Sequence, residues 1–379
     1  MVQNHLNGVP AERYCTPQTL NALCCSMATG FPWVMVNVIL MWAAYVLVID
    51  IGVLTLNDDL LKAFVILFGT VLYSLTAFTY YMIVRYGAIG PSRSWPPIED
   101  ENADLEAGTA ALLPHAGVLA KENGQQRYCN KCKCWKPDRT HHCSTCKTCV
   151  LKMDHHCPWF SVCIGFDNQK YFLLLLFYII LFCIVCLIGS GVALLNWIDS
   201  DDFGEVEISL NHVFLFILAV VLGLAVGIFF GCQVYLLLSN KTTIEAMETQ
   251  RYKSKVAAAS YRHVEAPSSQ TVGNVFNIGW KENFKEVFGD NPILWLLPVR
   301  TTKGNGMSFP VNQQVLNEIR RQADQESQML SNLQGWLDRN SRKSGDQSES
   351  SLNLTTGNLD DEMHGRVSVE FRPSDRRRS

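Results

Sequence analysis

Charge is what this chain lacks most. Only 18% of its 379 residues are Asp, Glu, Lys or Arg, below the roughly 25% of soluble domains, while 48% are hydrophobic. That excludes an ordinary soluble globule and, for the chain as a whole, disorder. An excess of either sign is missing too: 32 Lys+Arg oppose 35 Asp+Glu, a net charge of −3, so no nucleic-acid partner is expected. Four stretches lack Lys, Arg and Glu entirely, Phe31–Ile51, Ala63–Val84, Tyr171–Trp197 and Asn211–Leu238, and Asp50 sits at the edge of the first. Each is near or above the ~20 residues that cross a bilayer, and buried helices of soluble proteins rarely run so long without charge. Trp33, Tyr80, Tyr81, Tyr171 and Trp197 stand near the run ends, as in an aromatic belt. The first run follows a polar stretch without a basic n-region, so it is expected as a span and not as a cleaved signal peptide.

Lys and Arg are also unevenly placed. Arg85–Lys170 holds 11 of them; the loop Gly52–Lys62 holds one and Ile198–Leu210 none, with Asp199, Asp201, Asp202, Glu205 and Glu207 instead. The positive-inside rule then puts both short loops outside and both termini, with Arg85–Lys170, in the cytosol. The cytosol is reducing, which disfavours structural disulfides.

Of 14 cysteines, eight lie between Cys129 and Cys163, with four histidines among them. They follow a repeat. Cys129, Cys132, His142 and Cys149 are spaced C-x2-C-x9-H-x6-C, and Cys143, Cys146, His156 and Cys163 repeat the same residue types 14 positions on. Three thiolates and one imidazole make a complete tetrahedral site for structural zinc, so two zinc ions are expected. A RING-type cross-brace has different spacings. The segment has too few large apolar residues to fold unaided, so metal binding is expected to supply most of its folding energy.

Cys134, Cys157, His141 and His155 are left over. Cys134 has no special context. Cys157 directly follows the ligand His156 and is preceded by Asp154 and His155, with Pro158 and Trp159 stiffening the turn. A thiol beside an imidazole that has a carboxylate neighbour is the Cys–His–Asp logic of nucleophilic catalysis. The eight basic against three acidic residues of Arg127–Lys170 would help to lower a thiol's pKa from about 8.5.

At Asp154-His155-His156-Cys157 the chain resembles the DHHC family of membrane-bound protein S-acyltransferases (palmitoyltransferases). The likeness covers roughly Phe31–Pro310 and includes Thr242-Thr243-Ile244-Glu245 and the segment NFKEVFG around Asn283. One departure is Gly90-Pro91-Ser92, where many members carry Asp-Pro-Gly. CKCWKPDR, DHHCPWF and SNKTTIE are most similar to fungal enzymes of the vacuolar type that acylate a vacuolar armadillo-repeat protein. The resemblance implies a ping-pong reaction. Cys157 takes a long-chain acyl group from palmitoyl-CoA or another acyl-CoA, with His155 as base and Asp154 orienting it. Cysteine thiols of membrane-associated proteins then receive it. It also implies a cavity for the acyl chain among the four helices; Phe177, Tyr178, Leu181 and Phe182 are expected near its apex. The vacuole membrane is the implied location, with Golgi or ER membrane as the alternative.

The expected architecture is an α-helical integral membrane protein with four transmembrane helices and a cytosolic zinc-bound cysteine-rich domain between helices 2 and 3. Residues 1–30 form a cytosolic leader, 31–84 transmembrane helices 1 and 2, 85–126 a linker, 127–170 the zinc-binding domain and 171–238 helices 3 and 4. Residues 239–310 form a cytosolic C-terminal region, 311–338 an amphipathic helix and 339–379 a disordered tail. The competing reading is a membrane-anchored zinc-binding interaction module without catalysis, which would tolerate loss of Cys157. A metal transporter is disfavoured, because the spans lack carboxylates and histidines in their interiors.

Overall fold

The computed structural model describes residues 19–87, 89–91, 118–119, 127–199, 209–249 and 268–350. The four apolar runs become four long helices. Helix α1 (Thr19–Tyr45) continues into a π-helical segment (Val46–Thr55), followed by α2 (Asp59–Arg85), α3 (Gln169–Ile198) and α4 (Leu210–Leu238). All four are long and apolar enough to cross a membrane, and the chain is a multi-pass membrane protein. Helix α2 starts where the Asp58 carboxylate accepts the Leu61 N–H at 2.7 Å, an N-cap that satisfies one orphan donor.

Small residues let the helices approach. The Leu47 side chain of the π segment fills space beside Gly69 of α2 and Gly189 of α3, where a Cβ would meet it at 3.0 Å in each case. This is the close packing that membrane helices use in place of a hydrophobic driving force. Helix α3 is central and buried on most faces, whereas α4 turns most of its apolar surface outward. Asp50 is not left alone: His212 Nε2 of α4 lies 3.5 Å from its carboxylate.

The four residues expected together near the apex separate into two pairs. Leu181 and Phe182 pack with the core that includes Ala43, Val46 and Leu47. Phe177 packs against Phe230, and the Tyr178 hydroxyl donates to the Leu296 carbonyl. Four residues along a helix advance about 6 Å, so the two pairs sit at different depths although they share faces.

Between α2 and α3 lie three two-stranded antiparallel hairpins. They pair β1 (Tyr128–Cys129) with β2 (Cys134–Trp135), β3 (His141–Cys143) with β4 (Thr148–Val150), and β5 (His155–Cys157) with β6 (Val162–Ile164). Each turn contains one left-handed residue, Lys133, Lys147 and Ser161, with φ of 52°, 54° and 54°.

After α4 come α5 (Thr243–Met247), α6 (Trp280–Phe288), a 3₁₀ turn (Pro292–Leu294) and α7 (Gln313–Ser350). Two buried polar side chains tie this region to the helices. Lys170, in the first turn of α3, donates to the Leu294 carbonyl at 2.8 Å, the Val299 carbonyl at 3.0 Å and Thr301 Oγ1 at 2.8 Å. Asn283 donates to the Leu238 carbonyl at 2.7 Å and to Asn277 Oδ1 at 2.8 Å, and accepts from the Ile278 N–H at 3.1 Å.

The chain divides into two compact units, residues 1–326 and 327–379. In the first, Leu316 and Ile319 of α7 are buried, Ile319 in a cluster with Leu119, Val275 and Phe276. In the second, Met329 and Trp336 are exposed. The helical periodicity of 311–338 therefore forms a helix, which runs on to Ser350. The leader up to residue 18, most of the linker 85–126 and the tail beyond residue 350 lie outside the described residues.

Candidate active site

The three hairpins are one design repeated. The His142↔Cys149 and His156↔Cys163 cross-strand pairs occupy equivalent registers of the second and third hairpins. Each of these two hairpins therefore supplies an imidazole and a thiol that meet the Cys-x2-Cys turn of the hairpin before it. In the first quartet, Cys129, Cys132 and Cys149 Sγ lie 3.5, 3.2 and 3.9 Å from His142 Nδ1. In the second, Cys143, Cys146 and Cys163 Sγ lie 3.7, 3.3 and 3.7 Å from His156 Nδ1. Four ligands around one zinc, with Zn–S of about 2.3 Å and Zn–N of about 2.0 Å, stand roughly 3.5–3.8 Å apart, so the donor sets fit that ion. The Cys132 and Cys146 N–H groups also donate to Cys129 and Cys143 Sγ at 3.4 and 3.3 Å, which supports charge on those sulfurs.

Cys157 belongs to neither quartet. It ends β5 and is buried in an apolar cluster with Tyr80, Phe160, Phe172 and Leu175. His155 lies two residues before it on the same strand, so both side chains project from the same face. His155 Nδ1 is 2.6 Å from Asp154 Oδ2. Burial disfavours a charged imidazole, but the hydrogen bonds to Asp154 and Cys157, with their charges, outweigh it and raise His155 to about 9. Burial also pushes the Asp154 carboxyl up; hydrogen bonds from His155 and Thr243, with the imidazolium charge, bring it below its ordinary value. The arrangement can hold a thiolate–imidazolium pair with a carboxylate behind the ring. Phe172 of α3 meets the His155 ring edge-on at 5.3 Å and Phe229 of α4 at 6.5 Å, so the pair faces the membrane helices through aromatic rings.

An internal comparison shows how much depends on Asp154. His141 holds the position equivalent to His155 in the preceding hairpin, but Thr140 stands where Asp154 does and Arg127 Nη2 lies 3.5 Å from His141 Nε2. Burial and the Arg127 charge push His141 down to about 4. The same buried strand position thus shifts in opposite directions, down beside the Arg127 charge and up beside Asp154 and Cys157.

The motif after α4 reaches this site. Thr242 and Glu245 form a capping box at the start of α5, the local role expected of them. Thr243 does more: its N–H donates to Asp154 Oδ1 at 2.7 Å and its hydroxyl to Asp154 Oδ2 at 2.8 Å. Glu245 is gripped in a bidentate pair by Arg139 at 2.8 Å from both Nε and Nη2. Arg139 is completely buried at a left-handed φ of 61° and also donates to Asn240 Oδ1 at 2.8 Å. Burial raises the Glu245 carboxyl, yet the Arg139 charge and its hydrogen bonds bring it below its ordinary value. Arg139, Asn240 and Tyr80, whose hydroxyl donates to the Trp159 carbonyl at 2.7 Å, are not legible as site residues from spacing. A fully buried arginine paired with a buried carboxylate becomes visible only when residues 106 apart meet.

Because Thr243 Oγ1 bonds the carboxylate behind His155, replacing it with valine preserves shape and loses one charge-assisted hydrogen bond, worth about 1.5–3 kcal/mol. Given the acyl transfer that the resemblance implies, Thr243→Val is expected to slow single-turnover self-acylation by about tenfold or more, since ~1.4 kcal/mol is tenfold, with zinc content unchanged. An unaltered rate would leave the Thr243–Asp154 bond without a part in that chemistry.

The chain is similar to known proteins. Residues 122–250 match the family model described as DHHC palmitoyltransferase. Palmitoyltransferase PFA3 of Yarrowia lipolytica is 38% identical over 279 residues, covering 68% of this chain and 69% of that protein. Palmitoyltransferase PFA3 of Candida albicans is 34% identical, covering 89% of this chain and 96% of that protein. Palmitoyltransferase ZDHHC20 of Bos taurus is 32% identical over 305 residues, with 76% and 78% covered. The chain is a membrane-embedded acyltransferase, and it belongs to the DHHC palmitoyltransferase family. Its activity is protein S-palmitoylation, the transfer of a long-chain acyl group to protein cysteines.

Proposed function

We propose that Cys157 is the nucleophile of a two-step transfer, with palmitoyl-CoA or a similar long-chain acyl-CoA as donor. The observation that carries this is the exclusion of Cys157 from both metal quartets while His155 and Asp154 stand behind it. The Cys157 thiolate attacks the thioester carbonyl carbon, and CoA leaves as a thiolate that takes the proton held by His155. In the second step His155 accepts the proton of an incoming protein thiol, which attacks the acyl-Cys157 thioester and regenerates the Cys157 thiolate. Asp154 orients the ring and balances its charge in both steps. Two zinc ions held by Cys129, Cys132, His142 and Cys149 and by Cys143, Cys146, His156 and Cys163 would supply the fold of the hairpins. Four protein ligands leave no position for a reacting group.

We also assign the hairpins and both termini to the cytosol, from the Lys/Arg asymmetry. Membrane-associated proteins with cytosolic cysteines are then the acyl acceptors. The likeness to the fungal vacuolar-type enzymes favours the vacuole membrane and a vacuolar armadillo-repeat protein as one substrate, with Golgi or ER membrane as the alternative.

Purified protein incubated with labelled palmitoyl-CoA should acquire label that hydroxylamine releases. A protein carrying two zincs that takes no label would favour the adaptor reading. The orientation has its own check. The sequon Asn353-Leu354-Thr355, placed in the cytosol, should stay unglycosylated in a microsomal translation assay; a glycan at Asn353 would reverse the topology.

A further inference from the structure

The hairpin that carries Cys157 is the third copy of a metal knuckle. Its register repeats that of the other two at intervals of 14: Cys129 pairs with Cys134, Cys143 with Thr148, and Cys157 with Val162. The left-handed turn residues Lys133, Lys147 and Ser161 follow the same interval. Cys157 therefore occupies the first-ligand position that Cys129 and Cys143 hold in their quartets. The other three positions of a third quartet fall on Phe160, Lys170 and Phe177. Lys170 is committed to the Leu294 and Val299 carbonyls and Thr301. Phe177 packs on Phe230 within the helices. Phe160 is the one that shares the turn with Cys157, where Cys132 and Cys146 stand in the other two.

The Phe160 ring is turned into the apolar cluster, 4.9 Å from Tyr80 and 6.2 Å from Phe172. Two further features of the site suit metal. His155 already has a carboxylate on one ring nitrogen, the outer-sphere arrangement of zinc histidines. Two residues on along the same strand, the Cys157 thiol projects from the same face as this ring. A single added ligand in the turn would give the Cys-x2-Cys thiolate pair that opens each of the other quartets, with the His155 imidazole near it.

We propose that Phe160 is the residue that keeps Cys157 free of metal: by filling the second-ligand position of a third knuckle with an apolar ring, it leaves the first-ligand thiolate as a nucleophile. This rests on Cys157 being the nucleophile, but the test does not. Purified Phe160→Cys protein should hold three equivalents of zinc by elemental analysis where the wild type holds two, and Co²⁺ exchanged into it should show added thiolate-to-metal absorption. Adding Cys157→Ser should return the count to two, and Phe160→Leu, which brings no ligand, should stay at two. Self-acylation of Phe160→Cys should fall at least tenfold and recover when a mild chelator removes only the third metal. Phe160→His offers an imidazole at the same place with a ring that keeps the packing. If both Phe160→Cys and Phe160→His hold two metals, or if the third metal persists after Cys157→Ser, the proposal is wrong. A wild type that is acylated elsewhere than Cys157 would instead strike the nucleophile reading and leave the metal counts standing.

Discussion

Replacing Cys157 with serine is expected to bring self-acylation and transfer down to background while both zinc ions and the fold remain. The side chain keeps its shape within the cluster of Tyr80, Phe160 and Phe172, so packing changes little. What changes is ionisation. A thiol is far more acidic than a hydroxyl, so serine does not ionise usefully and needs a stronger base. A charged His155, favoured here by Asp154 and Cys157, would have no thiolate to pair with. Labelled palmitoyl-CoA with a hydroxylamine control reads the loss, and elemental analysis reads the zinc. Loss of one zinc from Cys157→Ser, or thioester labelling that persists, would overturn the assignment and bring the adaptor reading forward.

The second large effect is expected at the neighbouring quartet. Cys149→Ser removes one thiolate of the first set, in which Cys149 Sγ stands 3.9 Å from His142 Nδ1. Structural zinc contributes an apparent ~10–16 kcal/mol in small zinc domains, as much as the whole stability of many proteins, about 5–15 kcal/mol. The hairpins have strands of only two or three residues and little apolar core of their own. Zinc content is therefore expected to fall below two, and the hairpins to become protease-sensitive. Activity is lost as a consequence, because Asp154 reaches Thr243 and Arg139 reaches Glu245 only when the hairpins are folded. A Cys149→Ser protein with two zincs and a protected 127–168 segment would remove Cys149 from the ligand set. The two cysteines lie eight positions apart, yet one variant is expected to spare the fold and the other to destroy it.

Much of this was readable along the chain because it depends on local order. Spans announce themselves by length and absence of charge, since no unpaired backbone or ion is tolerated in hydrocarbon. Quartets able to hold a metal announce themselves by residue type and spacing, and the 14-residue repeat sets Cys157 apart by simple offset. The Asp-His-x-Cys order suffices to suggest the relay because His155 and Cys157 share a strand face.

The tertiary structure decided what depends on distance across the sequence. Thr243 reads as a helix-start residue; only the approach of α5 to β5, 89 residues apart in sequence, turns it onto the Asp154 carboxylate. Along the chain Arg139 is only one of the eight basic residues of Arg127–Lys170; in the fold it is the buried partner of Glu245. Tyr178 and Phe182 share a helical face on paper but serve different layers, because a wheel projection discards depth. Spacing cannot express such pairings: a buried charge is tolerable only where its partner arrives, and which partner arrives is settled by packing.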